Sequence, residues 1–446
     1  MQRIGKAQRP TPRAGSRNLG AGVSRHTILA SSLVLSAAAT DSTAVAAPKE
    51  TVLYSFTGGI DGGGPNGGLI LDRQHKLYGT TEAGGKTSCL SPGAGCGVVF
   101  KLVPYGYESI LHSFLPGGTD GDIPTAGLVA DHKGNLYGTT MTGAVGGQCA
   151  PIPGYAGCGA VYKLAPDRSS TVLYHFRGGS DGGVPSSGLL ADRQGNLYGT
   201  TTYGGGSAAC PFGCGTVFKL ASDGSETVLH AFNGSDGANP MGGLIGDSQG
   251  NLYGTAAAGG ASYDGVVFKL ASDGTSYKVL HAFDGGDGEF PVGALIADGD
   301  GYLYGSAQMG TTSEGVVFKL ATDGTSYEVL HAFNGSDGAF PNGDLLADAS
   351  GTLFGTTAMG GAENSGVVFQ LARDRGFSVL YAFTGGNDGA FPSAGGLTAD
   401  SQDNLYGATL RGGKYQNGVV YKLQGSGFIP AISPRDFEVA GTEPRP

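Results

Sequence analysis

The sequence contains no tryptophan and no apolar run long enough to cross a bilayer as a stable anchor. No window shows the amphipathic period of a surface helix, so we expect little helix. Lys and Arg number 27 against 37 Asp and Glu, which gives a formal net charge of −10. The acidic residues are spread through the chain, and this charge argues against nucleic acid and anionic membranes as partners.

Patterns that usually carry catalysis are also missing. We find no Ser-His-Asp order and no zinc signature. The glycine-rich stretches lack the strand-to-helix context that a phosphate-binding loop needs. The sequence therefore predicts no catalytic residue and no cofactor, apart from the calcium site considered below.

Glycine is abundant instead, with 85 residues, and it recurs inside a repeated phrase of leucine, an aromatic residue and glycine. The seven copies are separated by 50 to 61 residues, which indicates a repeat architecture. The copies begin at Leu77, Leu136, Leu197, Leu252, Leu303, Leu353 and Leu405.

Each repeat is predicted to form four short antiparallel strands. In the fourth repeat, turn residues separate an apolar segment at 243–247, the phrase at 252–255 and two β-branched runs at 265–270 and 279–283. Seven such repeats predict an all-β protein, a seven-bladed β-propeller over residues 47–424.

Two recurring residue types are expected to pack the blades. We expect the glycine of the phrase to make room for an aromatic ring from the neighbouring blade. A phenylalanine of each fourth strand is the candidate for the core between blades. These phenylalanines are Phe56, Phe114, Phe176, Phe232, Phe283, Phe333 and Phe383.

The two ends of the repeat region are complementary. Residues 51–56 form a lone fourth strand in this interpretation, whereas the last repeat stops after its third strand at residue 423. Pairing the two completes the seventh blade and removes an exposed sheet edge. An open solenoid with polar caps is the alternative. Residues 425–446 are rich in proline and glycine and are predicted to be a flexible tail.

The N-terminal region differs from the repeats. Six basic residues precede an apolar run at 27–39, and residues 44–46 have the small-x-small pattern of a cleavage site. We interpret residues 1–46 as a signal peptide and expect a secreted or periplasmic protein, with attachment to the cell surface left open. A disordered basic N-terminus on a cytoplasmic protein is the alternative.

Cysteine usage agrees with export. The six cysteines fall into three close pairs in the same part of their repeats, and a disulfide within each loop suits an oxidising compartment. Zinc binding is the alternative, although the spacings differ and no histidine accompanies them. The predicted disulfides join Cys89 to Cys96, Cys149 to Cys158 and Cys210 to Cys214.

The combined repeat pattern resembles a known family. Residues 265–270, 279–283 and 295–298, with Asp287 and Pro291 between them, resemble the GloVer tandem repeat of exported bacterial proteins described by their choice of surface anchor. The resemblance covers about residues 51–423 and implies export and a propeller-like fold. It implies no defined activity, substrate or catalytic residue, and we recognise no C-terminal sorting signal.

An aspartate follows each predicted fourth strand, in an Asp-Gly link to the next repeat. If the links cross one face, their carboxylates form a ring that suits calcium or sugar hydroxyls. The favoured interpretation is that each carboxylate accepts backbone N–H bonds and holds a turn. The candidates are Asp61, Asp120, Asp181, Asp236, Asp287, Asp337 and Asp388.

Two further sets of polar residues recur. An aspartate closes the first strand of each repeat, and we expect it to be structural. Four histidines and three tyrosines share one fourth-strand position, which indicates a half-buried ring with a polar tip rather than a shared catalytic base.

Function is more visible where the repeats differ. The loop between second and third strands is long and carries cysteines only in repeats 1 to 3, and it should emerge on the same face as the Asp-Gly links. Three cross-linked loops would build up one side of that face; stiffening of long loops is the alternative. The candidate ligand-binding residues are Lys86, Tyr155, Tyr203, Phe212 and Arg411.

The sequence favours binding over catalysis. We predict a monomeric exported propeller that binds an unknown glycan or protein ligand, without a nucleic-acid partner or a membrane-spanning segment in the mature chain. One alternative is a polysaccharide lyase or hydrolase that uses Glu82, Lys86 and Arg411 at the channel mouth. The other is a purely structural protein of the cell envelope.

Overall fold

Alternating apolar and polar residues make short strands throughout the computed structural model, which describes residues 47–86, 95–115, 118–143 and 157–430. No helix occurs in these ranges, so none of their residues belongs to a helix that could span a membrane. The predicted signal peptide, Cys89, Cys149 and Tyr155 lie outside the described residues.

Within the described ranges, thirty strands follow one another. They are β1 (Lys49–Ser55), β2 (Ile70–Leu71), β3 (Leu77–Thr81), β4 (Val98–Leu102), β5 (Glu108–Ser113), β6 (Val129–Ala130), β7 (Leu136–Thr140), β8 (Ala160–Leu164), β9 (Ser170–His175), β10 (Leu190–Ala191), β11 (Leu197–Thr201), β12 (Thr216–Leu220), β13 (Glu226–Ala231), β14 (Ile245–Gly246), β15 (Asn251–Ala256), β16 (Val266–Ala271), β17 (Tyr277–Ala282), β18 (Ile296–Ala297), β19 (Tyr302–Ala307), β20 (Val316–Ala321), β21 (Tyr327–Ala332), β22 (Ala339–Pro341), β23 (Leu346–Ala347), β24 (Leu353–Met359), β25 (Val367–Leu371), β26 (Phe377–Ala382), β27 (Ala390–Pro392), β28 (Thr398–Ala399), β29 (Asn404–Arg411) and β30 (Val419–Gln424).

The strands form seven antiparallel sheets, which are the seven blades of a β-propeller. Blades 1 to 5 each contain four consecutive strands, from β2–β5 in blade 1 to β18–β21 in blade 5. Blade 6 contains β23–β26 and blade 7 contains β28, β29, β30 and β1. The links add β22 to blade 6 and β27 to blade 7, which the sequence did not predict.

Blade 7 is completed by the start of the propeller chain. β1 pairs antiparallel with β30, from Lys49 opposite Gln424 to Ser55 opposite Val419. The Phe56 N–H then donates to the Gly418 carbonyl at 3.1 Å. The predicted ring closure is therefore confirmed, and β30 has strand partners on both sides.

The apolar core lies between blades. Phe232, which follows β13 in blade 3, is fully buried and packs edge-on against Phe268 of blade 4, with ring centroids 5.4 Å apart. Phe56 and Phe100 repeat this contact between blades 7 and 1 at 5.2 Å. The predicted inter-blade phenylalanines are confirmed, and burying one such ring contributes about 1.5–3 kcal/mol.

The glycine of the repeated phrase meets a different ring from the one predicted. Gly254 lies opposite Phe268 in its own sheet, and a Cβ at Gly254 would come within 2.7 Å of Phe268 Cζ. Antiparallel pairing places this third-strand ring directly across from the glycine. The glycine does leave space for an aromatic ring, as predicted. The ring comes from the same blade, so the prediction that a neighbouring blade supplies it was wrong.

The Asp-Gly links add a hydrogen bond at every seam between blades. Val184 has φ 57° immediately before Pro185, and its N–H donates to the Cys158 carbonyl of the preceding blade at 2.8 Å. A β-branched residue in the left-handed region is strained, and this conformation aims its N–H across the seam. Equivalent bonds start at Gly64, Ile123, Asn239, Phe290, Phe340 and Phe391.

The strands define two faces of the ring. We call the face that carries the Asp-Gly links and the loops between second and third strands the loop face. Bridges such as Gly183 with Tyr203 pair a link with such a loop, as the shared face predicts. We call the opposite face, which carries the turns after the first strands at 72–76 and their equivalents, the turn face.

Residues 425–430 continue across the turn face after β30. Phe428 is buried against Phe354 of blade 6, with ring centroids 5.4 Å apart. The Phe428 N–H donates to Asp403 Oδ1 at 2.7 Å, and the Ala349 N–H donates to the Ile429 carbonyl at 3.0 Å. The first part of the predicted flexible tail is thus packed against blades 6 and 7.

Candidate functional site

Within the ranges that the structure describes, six of the seven link aspartates, all except Asp120, accept backbone N–H bonds from their own turns on the loop face. Asp236 accepts the Asn233 N–H at 2.9 Å and the Asn233 side-chain amide at 2.8 Å. Asp388 accepts the Thr384 N–H at 2.8 Å. Among the described residues, no group of three or more His, Cys, Asp or Glu side chains is placed to hold a metal ion. These hydrogen bonds are the ones that the turn-forming interpretation expects.

The shared histidine or tyrosine of the fourth strand is a second partner of each link aspartate. His281 Nε2 lies 2.8 Å from Asp287 Oδ2, and the Tyr381 hydroxyl donates to Asp388 at 2.9 Å. Sequence reasoning found both sets and did not join them. The signal was present, because ring and aspartate recur six to eight residues apart in all seven repeats.

The residue of the next blade that faces this position differs between the tyrosine and the histidine repeats. Where the ring is tyrosine, the next fourth strand starts with a glutamate, and the Tyr174 hydroxyl donates to Glu226 at 3.4 Å. At three of the histidine seams the same position is aromatic, and His281 stacks on Tyr327 with ring centroids 3.9 Å apart. The other glutamates of this kind are Glu50 and Glu108.

Each of these three glutamates faces a link aspartate across a seam. Burial raises the pKa of Glu108 to about 7, and the charge of Asp61 adds to the rise. Burial and Asp388 likewise raise the pKa of Glu50 to about 7. One carboxyl oxygen in each glutamate is buried without a hydrogen-bond partner. The folded ring therefore favours the protonated form of these carboxyls.

The predicted ligand-binding residues of the loop face fall into separate places. Tyr203 and Phe212 lie together in blade 3, with ring centroids 5.9 Å apart, and Phe212 is 39% exposed. Arg411 ends β29 in blade 7, and Lys86 is exposed in the blade 1 loop. Tyr155 lies outside the described residues.

Disulfides occur in the cysteine loops. Cys210 and Cys214 are bonded, with Cα atoms 5.2 Å apart, as predicted. Cys96 and Cys158 are also disulfide-bonded, and their predicted partners, Cys89 and Cys149, lie outside the described residues.

Glu82 and Arg411 interact at the seam of blades 1 and 7. Burial raises the pKa of Glu82, whereas the positive charge of Arg411 and a hydrogen bond with the Asn66 side chain oppose part of that rise. Two of the residues considered for catalysis are therefore close enough on the loop face for their charges to interact.

The larger of the two cavities described here lies on the turn face. It is a groove of about 1210 Å³ formed by blades 1 to 3. Ile70, Leu71 and Leu173 supply partly exposed apolar surface, and Arg73 and Lys133 are among its cationic residues. Sequence analysis missed this site. The signal is that only the first three repeats carry basic residues immediately after the aspartate of this turn.

The turns that border the groove are built by the aspartates expected to be structural. Asp131 Oδ1 accepts the backbone N–H groups of Lys133 and Asn135, both at 2.9 Å, and Oδ2 accepts the Tyr137 hydroxyl at 3.1 Å. Burial acts to raise the pKa of Asp131, but these bonds and that of the Asn135 side chain lower it overall. The carboxylate thus stays ionised and bound within its own turn.

A smaller cavity of about 280 Å³ follows the ring axis and is lined by residues near the first strands of all seven blades. The blades approach closely here, since a Cβ on Gly68 would lie 2.6 Å from the Gly395 carbonyl oxygen. Asp344 is the charged residue of this lining and accepts the Ala294 N–H at 2.6 Å. Burial raises the pKa of this carboxyl.

Comparisons with known proteins identify a repeat family. The Gloeobacter/Verrucomicrobia repeat matches residues 91–313 and 293–432. A search of curated proteins finds no significant match.

Solved structures with a similar chain path include several enzymes. An oligogalacturonate lyase in complex with manganese is 11% identical, with 81% of this chain and 98% of that chain covered and a TM-score of 0.46. A gluconolactonase from Xanthomonas campestris is 14% identical, with 85% of this chain and 90% of that chain covered and a TM-score of 0.41. A luciferin-regenerating enzyme is 12% identical, with 86% of this chain and 97% of that chain covered and a TM-score of 0.42.

Proposed function

Since the chain belongs to the Gloeobacter/Verrucomicrobia repeat family, we propose that it is an exported seven-bladed propeller that binds a ligand through one of its faces. The family match supports the fold and leaves the ligand open, so the support for binding comes from the geometry.

The observation that carries this proposal is the groove on the turn face. Seven blades of nearly the same construction form the ring, yet the groove of about 1210 Å³ involves only blades 1 to 3. A sevenfold repeat does not need such a cavity for its stability, because the other blades pack with the same strands and the same core. Concave sites of this size are where proteins usually bind ligands.

Binding is tested with the purified mature chain on arrays of glycans and of extracellular proteins. We compare it with a groove variant, Arg73→Ser with Lys133→Gln and Arg193→Ser, and a loop-face variant, Tyr203→Ala with Phe212→Ala. The proposal expects a ligand whose retention falls in the groove variant and is unchanged in the loop-face variant. Loss only in the loop-face variant would move the site to the cysteine loops, and no retained ligand on any array would refute the binding function.

Export is supported by the disulfide between Cys210 and Cys214, because such bonds persist in oxidising compartments. Expression of the full chain in a Gram-negative host, followed by fractionation and N-terminal sequencing, tests it. We expect a periplasmic or released protein that begins after Ala46. An uncut chain confined to the cytoplasm would contradict export.

A polysaccharide-active enzyme is the second candidate, and the observation that favours it is Glu82 beside Arg411. A carboxyl with a raised pKa next to a cation is a common arrangement for general acid or base chemistry. Incubation with a panel of polysaccharides, followed by assays of new reducing ends and unsaturated products, tests this function. Depolymerisation that Glu82→Gln abolishes would support catalysis, and an inactive wild type across the panel would oppose it.

A further inference from the structure

The distribution of charge around the turn face is uneven. The position directly after the turn aspartate holds Arg73, His132 and Arg193 in blades 1 to 3. In blades 4 to 7 the same position holds Ser248, Gly299, Ala349 and Ser401. The next position adds Lys133 in blade 2, whereas blade 5 has Asp300 there. Cations at these positions are thus confined to the blades that form the groove.

The turn itself does not require these cations. The aspartate makes the turn through backbone N–H bonds, and it does so equally in blade 4, where Asp247 accepts the Gln249 N–H at 2.9 Å beside Ser248. Arg73, Lys133 and Arg193 are exposed residues of the groove lining. Because serine, glycine and alanine serve the turn elsewhere, the turn does not account for the basic side chains at this position.

The groove is cationic within an acidic protein. Its lining contains five Lys or Arg residues and three aspartates, whereas the whole chain has a net charge of −10. The three aspartates are also held by hydrogen bonds within their own turns, as described for Asp131. A concave surface of one charge sign concentrates ligands of the opposite sign.

The arrangement fits an extended polymer better than a small anion. The basic residues come from the same turn of three consecutive blades, so they follow the groove instead of converging on one point. The partly exposed apolar residues Ile70, Leu71 and Leu173 of the lining offer a surface for the carbon faces of sugar rings.

The tyrosines of the lining are bonded within their own turns through their hydroxyls. The hydroxyls of Tyr78 and Tyr137 donate to Asp72 and Asp131, each at 3.1 Å. Lys163 Nζ also lies 5.9 Å from the centre of the Tyr137 ring.

From these observations we propose that the groove of blades 1 to 3 binds an acidic polysaccharide, a linear chain with carboxylates on its sugar residues. This inference rests on the proposed binding function and adds the ligand class and the residues that select it. Arg73, Lys133 and Arg193 attract the carboxylates, and the apolar floor contacts the sugar rings.

The test uses alginate, which carries a carboxylate on every sugar, with neutral dextran and single-stranded poly(dT) as comparison polymers. The groove variant is Arg73→Ser with Lys133→Gln and Arg193→Ser, which introduces the residues of blade 4 at these positions. The matched control is Lys414→Gln, which removes an exposed cation from the loop face. Affinity is measured by calorimetry at several salt concentrations, and circular dichroism verifies that each variant is folded.

We expect alginate to bind the wild type and the control equally, and the groove variant to bind at least about tenfold more weakly. Raising the salt concentration should weaken wild-type binding more steeply than that of the groove variant. Dextran and poly(dT) should bind far more weakly than alginate.

Each other outcome has a definite meaning. If dextran bound the wild type as tightly as alginate, and the groove variant still bound dextran, the ligand class would be overturned and the proposed binding function would stand. Equal binding of poly(dT) would identify a general polyanion site and overturn the selection for sugar carboxylates. Loss in Lys414→Gln would overturn the location. Absence of binding to alginate would overturn the inference, and the proposed function would fail only if the arrays were also negative.

Discussion

A strict requirement for glycine in the second strand gives the sharpest test of how the blades pack. In Gly254→Ala the new Cβ would lie 2.7 Å from Phe268 Cζ and 2.8 Å from Leu244 Cδ2, closer than real Cβ contacts come. Overpacking of this kind costs about 1–3 kcal/mol, and the loss of glycine's freedom in the unfolded chain returns about 0.4–1 kcal/mol. We therefore expect a net loss of about 1–2 kcal/mol in the free energy of unfolding.

The measurement is differential scanning calorimetry, in which this loss should lower Tm by roughly 1–3 °C for a chain of this size. Gly299→Ala is the matched control, because no atom lies within 4 Å of a Cβ there and its φ is not positive. Its Tm should stay the same or rise slightly.

A double-mutant cycle shows whether the Phe268 ring is the cause. Phe268→Leu removes the ring tip, so the further change Gly254→Ala should cost less in that background than in the wild type. A Gly254→Ala protein as stable as the wild type, or an equal cost in both backgrounds, would refute the packing argument.

Three further predictions concern the ring and its seams. Deleting residues 47–56 leaves β30 without β1, so thermal unfolding should start well below that of the full propeller; an unchanged Tm would contradict closure. Cys210→Ser with Cys214→Ser should lose about 2 kcal/mol or less, because the closed loop is short. Reductant should destabilise the wild type further, because it also reduces the disulfides of Cys96 and Cys158; a loss in the variant well above about 2 kcal/mol would contradict the short-loop argument. The pKa of Glu108 is raised from 4.5 to about 7. Protonation of Glu108 therefore stabilises the folded state at low pH, and this contribution is lost as the pH rises from about 4.5 to about 7. Urea titrations measure the free energy of unfolding between pH 5 and 8. It should fall less with pH in Glu108→Gln than in the wild type or in the exposed control Glu363→Gln. Parallel curves for the three proteins would contradict this prediction.

The strands and the ring could be predicted because their signals are local in the sequence. The phrase at Leu252 and the β-branched run at 265–270 became β15 and β16 with the predicted boundaries shifted by one residue or so. The complementary ends predicted closure, since a strand edge left unpaired is unfavourable.

Side-chain contacts were harder to predict. The ring opposite Gly254 could come from its own blade or from the next, and only the register of β15 with β16 identifies Phe268. The hydrogen bond between the fourth-strand histidine or tyrosine and the link aspartate was likewise missed. Repetition of a residue does not show which other repeated residue it contacts.

The candidate site on the turn face depends entirely on the assembled ring. Sequence analysis directed attention to the cysteine loops, where length and disulfides vary. Arg73, Lys133 and Arg193 each stand in an ordinary turn, 60 residues from the next, and nothing local shows that they line one groove.

The sequence by itself determined the all-β class, the seven blades and the way the ends join, because strand period, turn residues and complementary halves act over short distances. Only the tertiary structure decided which side chains of different blades meet. Closing the ring places equivalent turns side by side, so residues that are far apart along the chain line one cationic groove.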